Sequence, residues 1–443
     1  MSQTKLLIIG GVAGLAVIIM LLFLVLGDIG GNQSQKITLQ FWGVYDERSF
    51  YEPAILEFER ANPNVDIVYK QYNFEDYEKE LVNSFAAGTG PDIWLMHNTW
   101  LPKHVDKIQP LPQQVLKGEK KPLFTFKDFQ DQFLDVTSAD LTKEGQIYAL
   151  PLYVDTLALY YNKDFFNTAG IASPPRTWEE FNDDVKRLTT IDSRGNIVKS
   201  GAAIGTANNI NRSTDILMLL MLQSGVQMTD NAHTSATFSR PVGGENVGER
   251  ALRYYTDFAN PSKPVYTWND QQHYSIDAFA EGNTAMMFNY SHHIKTLRSK
   301  SARFNFGVAP VPQISGAPVA VNFANYWAPT VSKQSKNPVT AWKFLIYLTS
   351  TKGAASYINA ANRPSARRDL VERQKIDPDL GVFAVQALSA RSWYQVDNSA
   401  IETIFAEMVN NVNLGRMSVG DALEAAENKV NVLMARSRKG SSF

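Results

Sequence analysis

The amino-acid sequence predicts an α/β protein carried on an N-terminal membrane-spanning helix, and three observations lead there. From Ile37 onward, short β-rich runs alternate with stretches whose apolar residues recur at helical spacing. Ahead of them, residues 6–26 are apolar without interruption except for Gly10, Gly11 and Gly14. Over all 443 residues, hydrophobic side chains make up 44% and charged ones 20%. That balance excludes a disordered or fibrous chain and leaves ample length for two or three domains.

At about 1.5 Å per residue, the apolar run makes a helix of about 31 Å, enough to cross a hydrocarbon core of about 30 Å. Lys5 precedes it and Asp28 follows it. The positive-inside rule therefore keeps the first residues in the cytoplasm and sends the rest outside. A cleaved signal peptide is the rival, but its apolar region usually spans about 7–15 residues and ends at a small-x-small site. This run is longer, and residues 27–34 present no such site. The expectation is an uncleaved single-pass anchor, with Gly30, Gly31, Asn32, Gln33 and Ser34 as a flexible tether.

Residues 37–42 alternate as a strand, 50–61 follow as a helix, 65–71 as a second strand and 77–87 as a second helix. Gly88 to Pro91 breaks the chain before a short, mostly apolar third strand over 92–96. A βαβαβ order places ligands at the C-terminal ends of its strands, so residues 43–47 and 97–100 matter most. Thr177-Trp178-Glu179-Glu180 has the spacing of a capping box and opens a helix to about Leu188. Asn337-Pro338 reads as N-cap and N1 of an apolar helix over 341–348. Residues 215–223 are apolar on nearly every face, which suits a buried helix too short to span a membrane.

The composition also excludes chemistry. Cysteine is absent, which removes disulfides, thiolate metal sites, a cysteine nucleophile and lipid-modified cysteine. Lys and Arg total 43 against 44 Asp and Glu, so no general basic face awaits nucleic acid. No G-x-S-x-G, H-E-x-x-H, P-loop or G-x-G-x-x-G motif occurs. His292-His293 lack a spaced partner and read as ordinary polar residues near a loop. Asp46-Glu47 are neighbours that do not converge on one bond as a catalytic pair must, which leaves ligand hydrogen bonding or solvated charge. The expectation is a non-enzyme without cofactor or metal. The N-x-S/T triplets at Asn32, Asn211 and Asn289 carry little weight.

An ordered series of segments carries a resemblance. A first strand over 37–42 and Gly90-Pro91-Asp92-Ile93 come first, then Leu150-Pro151-Leu152-Tyr153 running into Ala158-Leu159-Tyr160-Tyr161-Asn162-Lys163. Pro175-Arg176-Thr177-Trp178-Glu179-Glu180-Phe181 and Phe279-Ala280-Glu281-Gly282-Asn283-Thr284-Ala285-Met286 follow. Ala309-Pro310-Val311-Pro312, the stretch 335–348 and Asn362-Arg363-Pro364-Ser365-Ala366-Arg367 complete it. Over residues 37 to about 367 the series resembles family 1 extracellular solute-binding proteins of ABC importers, the maltose-binding-protein-like carbohydrate binders. The resemblance implies a type II two-lobe periplasmic-binding-protein fold with discontinuous lobes, 37–153 with 322–358 and 154–321 with 359–443. Crossings are expected near 153–155, 319–321 and 358–363, with hinge closure on a ligand. It also implies ABC permease subunits as partners. Gram-positive members are usually held by a lipidated cysteine, and the 6–26 helix looks like its substitute here.

A sugar site needs flat aromatic platforms and polar groups in the ring plane. With 24 Phe, 18 Tyr and 8 Trp, the chain has aromatics to spare at loop ends. Candidates are Tyr45, Asp46 and Glu47 after the first strand, and Asn98 and Trp100 after the third. Asp155 matches the position at which maltose-type members carry a ligand-binding carboxylate. Asn211 precedes the buried helix, and Asn289-Tyr290 ends a strand. Asn325, Tyr326 and Trp327, then Arg391, Trp393 and Tyr394, complete the set. Trp100 and Trp393 are expected on opposite walls of the cleft, whereas Trp42, Trp178 and Trp342 read as core. Binders of glycerol phosphate and polyamines share related folds, and aromatic richness is what favours a mono- or oligosaccharide. A tethered sensor of the same fold and a secreted polysaccharide hydrolase are the alternatives; the second needs two carboxylates about 5–10 Å apart, and no convincing pair is present.

Overall fold

The period-2 pattern at the start of the globular chain folds as strand β1 (Ile37–Val44), which buries Leu39 and Phe41 on one face. The computed structural model describes residues 36–300 and 304–440. Helix α1 (Arg48–Ala61) turns Tyr51, Ala54, Ile55 and Phe58 inward, at spacings of three and four. Strand β2 (Val65–Tyr72) pairs parallel with β1, and helix α2 (Phe74–Ala86) leads back to β3 (Ile93–His97) on its other edge. All five residues of β3 are buried, because the segment Trp327–Val331 returns antiparallel along its far edge.

The second lobe is built on β4 (Ala158–Asn162), the centre of an antiparallel sheet. Helix α3 (Trp178–Leu188) packs on this lobe through Trp178, Phe181 and Val185. Thr177 caps α3 by accepting from Glu180 N at 3.2 Å, while the Glu180 carboxylate accepts from Arg176 N, so the expected box is half formed. Helix α4 (Ser213–Gln223) buries every residue from Ser213 to Met221. Strands β5 (Met286–Asn289) and β6 (Phe306–Ala309) flank β4. Asn337 makes no side-chain cap; its own N–H turns to Ser335 Oγ, and Pro338 alone opens Pro338–Leu348.

Two separate cores result. One gathers buried residues from Leu39 to Val154 and from Ala324 to Val371, with Ala384, Ala387 and Ala390; the other gathers Leu157 to Val311 and Trp393 to Met434, with Phe323, Leu380 and Phe383. Between them lies a small sheet of three short strands, Asp155–Thr156, Asn322–Asn325 and Ala390–Arg391. Asn325 pairs antiparallel with Asp155, and Asn322 pairs parallel with Ala390. Ala366, Leu370 and Val371, which follow the passage expected at 358–363, pack in the first core. Their segment is tied there by Val154 N to Pro364 O, Ala366 N to Leu152 O and Leu134 N to Ala366 O. The anchor helix expected over residues 6–26 lies outside the described residues. Among the described residues, no helix is long and apolar enough to cross a membrane.

Candidate functional site

The strand ends of the first lobe face the N-termini of α4 and of helix α5 (Asn398–Asn413) across a cavity of about 160 Å³. Tyr45, Phe74, Glu75, Glu78, His97, Trp100, Asn325 and Trp327 line it from the first lobe, and Arg212, Asn398, Ser399 and Glu402 from the second.

Aromatic rings form the first-lobe wall. Tyr45 leaves β1 with φ +65°, a left-handed conformation that costs a tyrosine about 1–2 kcal/mol. That turn keeps the ring half exposed, at 51%, and stacks it on Phe74 at 5.4 Å. Trp327 is the hub, with edge contacts to Trp100 at 4.9 Å, His97 at 5.3 Å and Tyr45 at 6.0 Å. Burial, reinforced by the charge of Arg212, pushes the His97 pKa down to about 3, so the imidazole stays neutral. Its Nδ1 lies 2.8 Å from Thr99 Oγ1 and its Nε2 3.3 Å from Asn325 Oδ1.

The second-lobe wall is charged. Arg212, at φ +60°, is the N-cap residue of α4. Its guanidinium meets Asp215 at 2.7 Å and Glu402 at 3.3 Å and lies over the Tyr290 ring, while the Tyr290 hydroxyl donates to Asp215 at 2.6 Å. The lobes touch directly. Trp100 Nε1 donates to Asn398 Oδ1 at 2.8 Å, and Lys103 bridges Glu78 (2.7 Å) and Asp397 (2.8 Å). Burial works to raise the Glu78 pKa, but hydrogen bonds from His104 and Lys103 outweigh it and hold it at about 2. The arrangement suits binding: one wall stacks, the other donates and accepts hydrogen bonds.

Of the residues expected at the site, Tyr45, Trp100, Asn325 and Trp327 line this cavity, although Trp100, expected to stand clear of any core, and Trp327 are themselves packed in the first core. Others stand behind it as braces. The Asp46 carboxylate accepts from Tyr51, Tyr357 (2.6 Å) and Arg363 (3.2 Å), and is buried by them. Asn98 and Tyr326 both donate to Asp140, at 3.0 and 2.8 Å, where the Ser392 hydroxyl joins them. Burial raises Asp140 to about 6 despite those donors. Asp155 is enclosed at the hinge, taking Ser291 Oγ at 2.6 Å and Thr156 N at 2.9 Å; burial raises it too, to about 6. Asn289 is fully buried and accepts from Tyr290 N, and Asn211 donates to the Tyr274 hydroxyl.

Four expected residues are placed elsewhere. Trp393, expected as the opposite platform, packs on Phe405 and Met218 in the second core and does not line the cavity. Tyr394 stacks on His233 at 4.4 Å. Arg391 is exposed on its hinge strand, and Glu47 is exposed at the start of α1. The aromatic rings that line the cavity therefore come from one lobe, with polar groups opposite. Sequence reasoning missed Phe74, Glu75, Glu78, His97, Arg212, Asn398, Ser399 and Glu402. A wider groove of about 380 Å³ beside Ile358, Asn362 and Ile376 contains no aromatic ring.

A two-lobe α/β molecule, hinged by short crossing strands and holding an aromatic-walled polar cavity between its lobes, is a binding protein of the solute-binding class. Residues 44–355 match the family model for bacterial extracellular solute-binding proteins, and the chain belongs to that family. The chain is 27% identical over 337 residues to the maltodextrin-binding protein MdxE of Bacillus subtilis, covering 74% of this chain and 73% of that one. It is 25% identical over 454 residues to the sn-glycerol-3-phosphate-binding periplasmic protein UgpB of Salmonella typhimurium, covering 93% and 95%. In fold it is similar to the cyclic alpha-maltosyl-1,6-maltose binding protein of Arthrobacter globiformis, with a TM-score of 0.73, 20% identity, and 90% and 99% of the two chains covered.

Proposed function

We propose that this protein is a membrane-tethered extracellular receptor that captures a carbohydrate between its lobes and delivers it to an ABC importer. The aromatic wall of Tyr45, Phe74, Trp100 and Trp327 facing polar groups carries this reading, because sugars offer apolar C–H faces and a rim of hydroxyls. The relatives that bind maltodextrin and a cyclic maltosyl-maltose support it. A phosphate ester is a poorer match, since among the described residues Arg212 is the only cation lining the cavity and is already paired with Asp215 and Glu402. The tether rests on the length of the apolar run over residues 6–26.

Titrating the full-length chain in detergent with neutral sugars should give saturable binding, with the ligand recovered unchanged. Stability should rise by about 2.7 kcal/mol at a hundredfold excess over Kd. An unmoved melting curve across the whole sugar panel refutes the reading. For the tether, N-terminal sequencing of membrane-extracted protein should read from the first residues.

A further inference from the structure

Charge around the cavity is lopsided. Glu75, Glu78 and Glu402 line it, with Asp215 and Asp397 directly behind. Two cations answer these five carboxylates: Arg212 is shared by Asp215 and Glu402, and Lys103 by Glu78 and Asp397. The neighbouring imidazoles add no positive charge, because burial lowers the pKa of both His97 and His104. Deeper in, Arg363 is engaged by Asp46 at 3.2 Å. Glu75 has no ion-pair partner among the described residues, although it stands close enough to influence the Tyr45 hydroxyl, as Arg212, Glu402 and Arg363 also do. Burial and the like charge of Asp215 leave Glu402 short of compensation and raise its pKa. The opposite wall is made of π-faces, which attract cations rather than anions.

From this juxtaposition of an acidic rim answered by too few cations and an aromatic wall, we infer that the cleft selects an amine-bearing sugar over its neutral and anionic counterparts. The inference rests on the carbohydrate reading and sharpens it. A protonated amino group between Glu75, Glu402 and the Tyr45–Phe74 stack gains a counter-charge that the protein does not supply for itself. The same rim repels phosphorylated sugars. Asn398 and Glu402 are four residues apart on α5 and share one face, so the residue that holds the lobes together and the one that reads charge move as one body.

The test is calorimetry on the full-length chain in detergent, using glucose and maltose each in neutral, aminated, N-acetylated and phosphorylated form, with spermidine as an amine lacking a ring. The aminated form should bind about tenfold tighter than the neutral one at low salt, and the advantage should shrink at high salt and vanish on N-acetylation. Glu402→Gln should flatten the aminated-to-neutral ratio. Glu75→Gln should do so as well, at an exposed position that leaves folding untouched. Neutral sugars binding as tightly as aminated ones, or phosphorylated ones binding tightest, overturns the inference and leaves the carbohydrate reading standing. Binding of spermidine alone, or of no member of the set, overturns both.

Discussion

Trp100 Nε1 donates to Asn398 Oδ1 across the cleft at 2.8 Å, so a side chain packed in the first core is also that lobe's direct hold on the second. Beside it, Lys103 reaches Asp397, the residue before Asn398. These contacts exist between protein groups alone and therefore bias the open–closed equilibrium whatever occupies the cavity.

Replacing Asn398 by Ala removes that bond while leaving both cores intact. A net hydrogen bond is worth about 1 kcal/mol, so ligand affinity should fall roughly fivefold. The ligand-free radius of gyration by small-angle scattering should rise, with the melting temperature nearly unchanged. An unchanged affinity and radius would show that the contact does not hold the lobes together.

Trp393→Ala should behave in the opposite way. The ring packs on Phe405 and Met218, and truncating a buried Trp costs about 3–5 kcal/mol. Denaturant unfolding should show this loss, while the folded fraction keeps its affinity. Trp178→Ala, another second-lobe core residue, should match it.

Tyr45→Gly separates strain from stacking. Glycine adopts φ +65° freely, so relief of about 1–2 kcal/mol of strain offsets glycine's entropic cost of about 0.5–1 kcal/mol. Ligand-free stability should stay within about 1 kcal/mol of the parent. Affinity should drop by about 1–3 kcal/mol for lack of the platform. A variant that melts early yet binds normally would make Tyr45 a structural residue.

Acid should destabilise the fold through buried imidazoles. The His97 pKa is depressed from 6.5 to about 3, so its contribution is complete above pH 6.5 and is lost as pH falls toward 3. His293, depressed by burial to about 4, adds to the same trend. Asp155 and Asp140, both raised by burial to about 6, work with the opposite sign: they favour the fold below their unfolded value near 3.8 and lose that contribution as pH rises through 6. Between pH 7 and 5 the melting temperature should lose less to acid in His97→Gln than in the parent chain. Equal slopes for the two proteins would remove His97 from the account.

The α/β alternation was legible because it depends on local periodicity, whereas the division into two lobes was legible only through the ordered series of segments that resembles the solute-binding family. Tyr45, Trp100, Asn325 and Trp327, the expected residues that line the cavity, each stand at or directly beside a strand end in the fold. Trp393 misled because its polar neighbours suggested exposure. In the extended segment, Trp393 and Gln395 turn inward while Ser392 and Tyr394 turn partly outward, and sequence alone does not reveal which parity faces the core. Arg212 and Glu402 meet from places 190 positions apart, a contact with no local signature. A clue did exist: Arg212 and Asp215 are charges at the mouth of a helix otherwise buried throughout, and buried charge calls for a partner. On α5, Asn398 and Glu402 stand four residues apart at the flank of the face that buries Ile401, Ile404 and Phe405.

The far edge of β3 is covered by Trp327–Val331, which arrives only after the whole sheet of the second lobe has been made. A growing chain therefore exposes Ile93, Trp94, Leu95 and Met96 as an unpaired, wholly apolar edge, the kind of strand that recruits other chains. At a synthesis rate of roughly 5–20 residues per second, that edge stays open for about 10–50 s. During this interval the nascent first lobe is the part of the molecule in need of a chaperone, and truncations ending before Trp327 should collect in inclusion bodies while the complete chain stays dispersed.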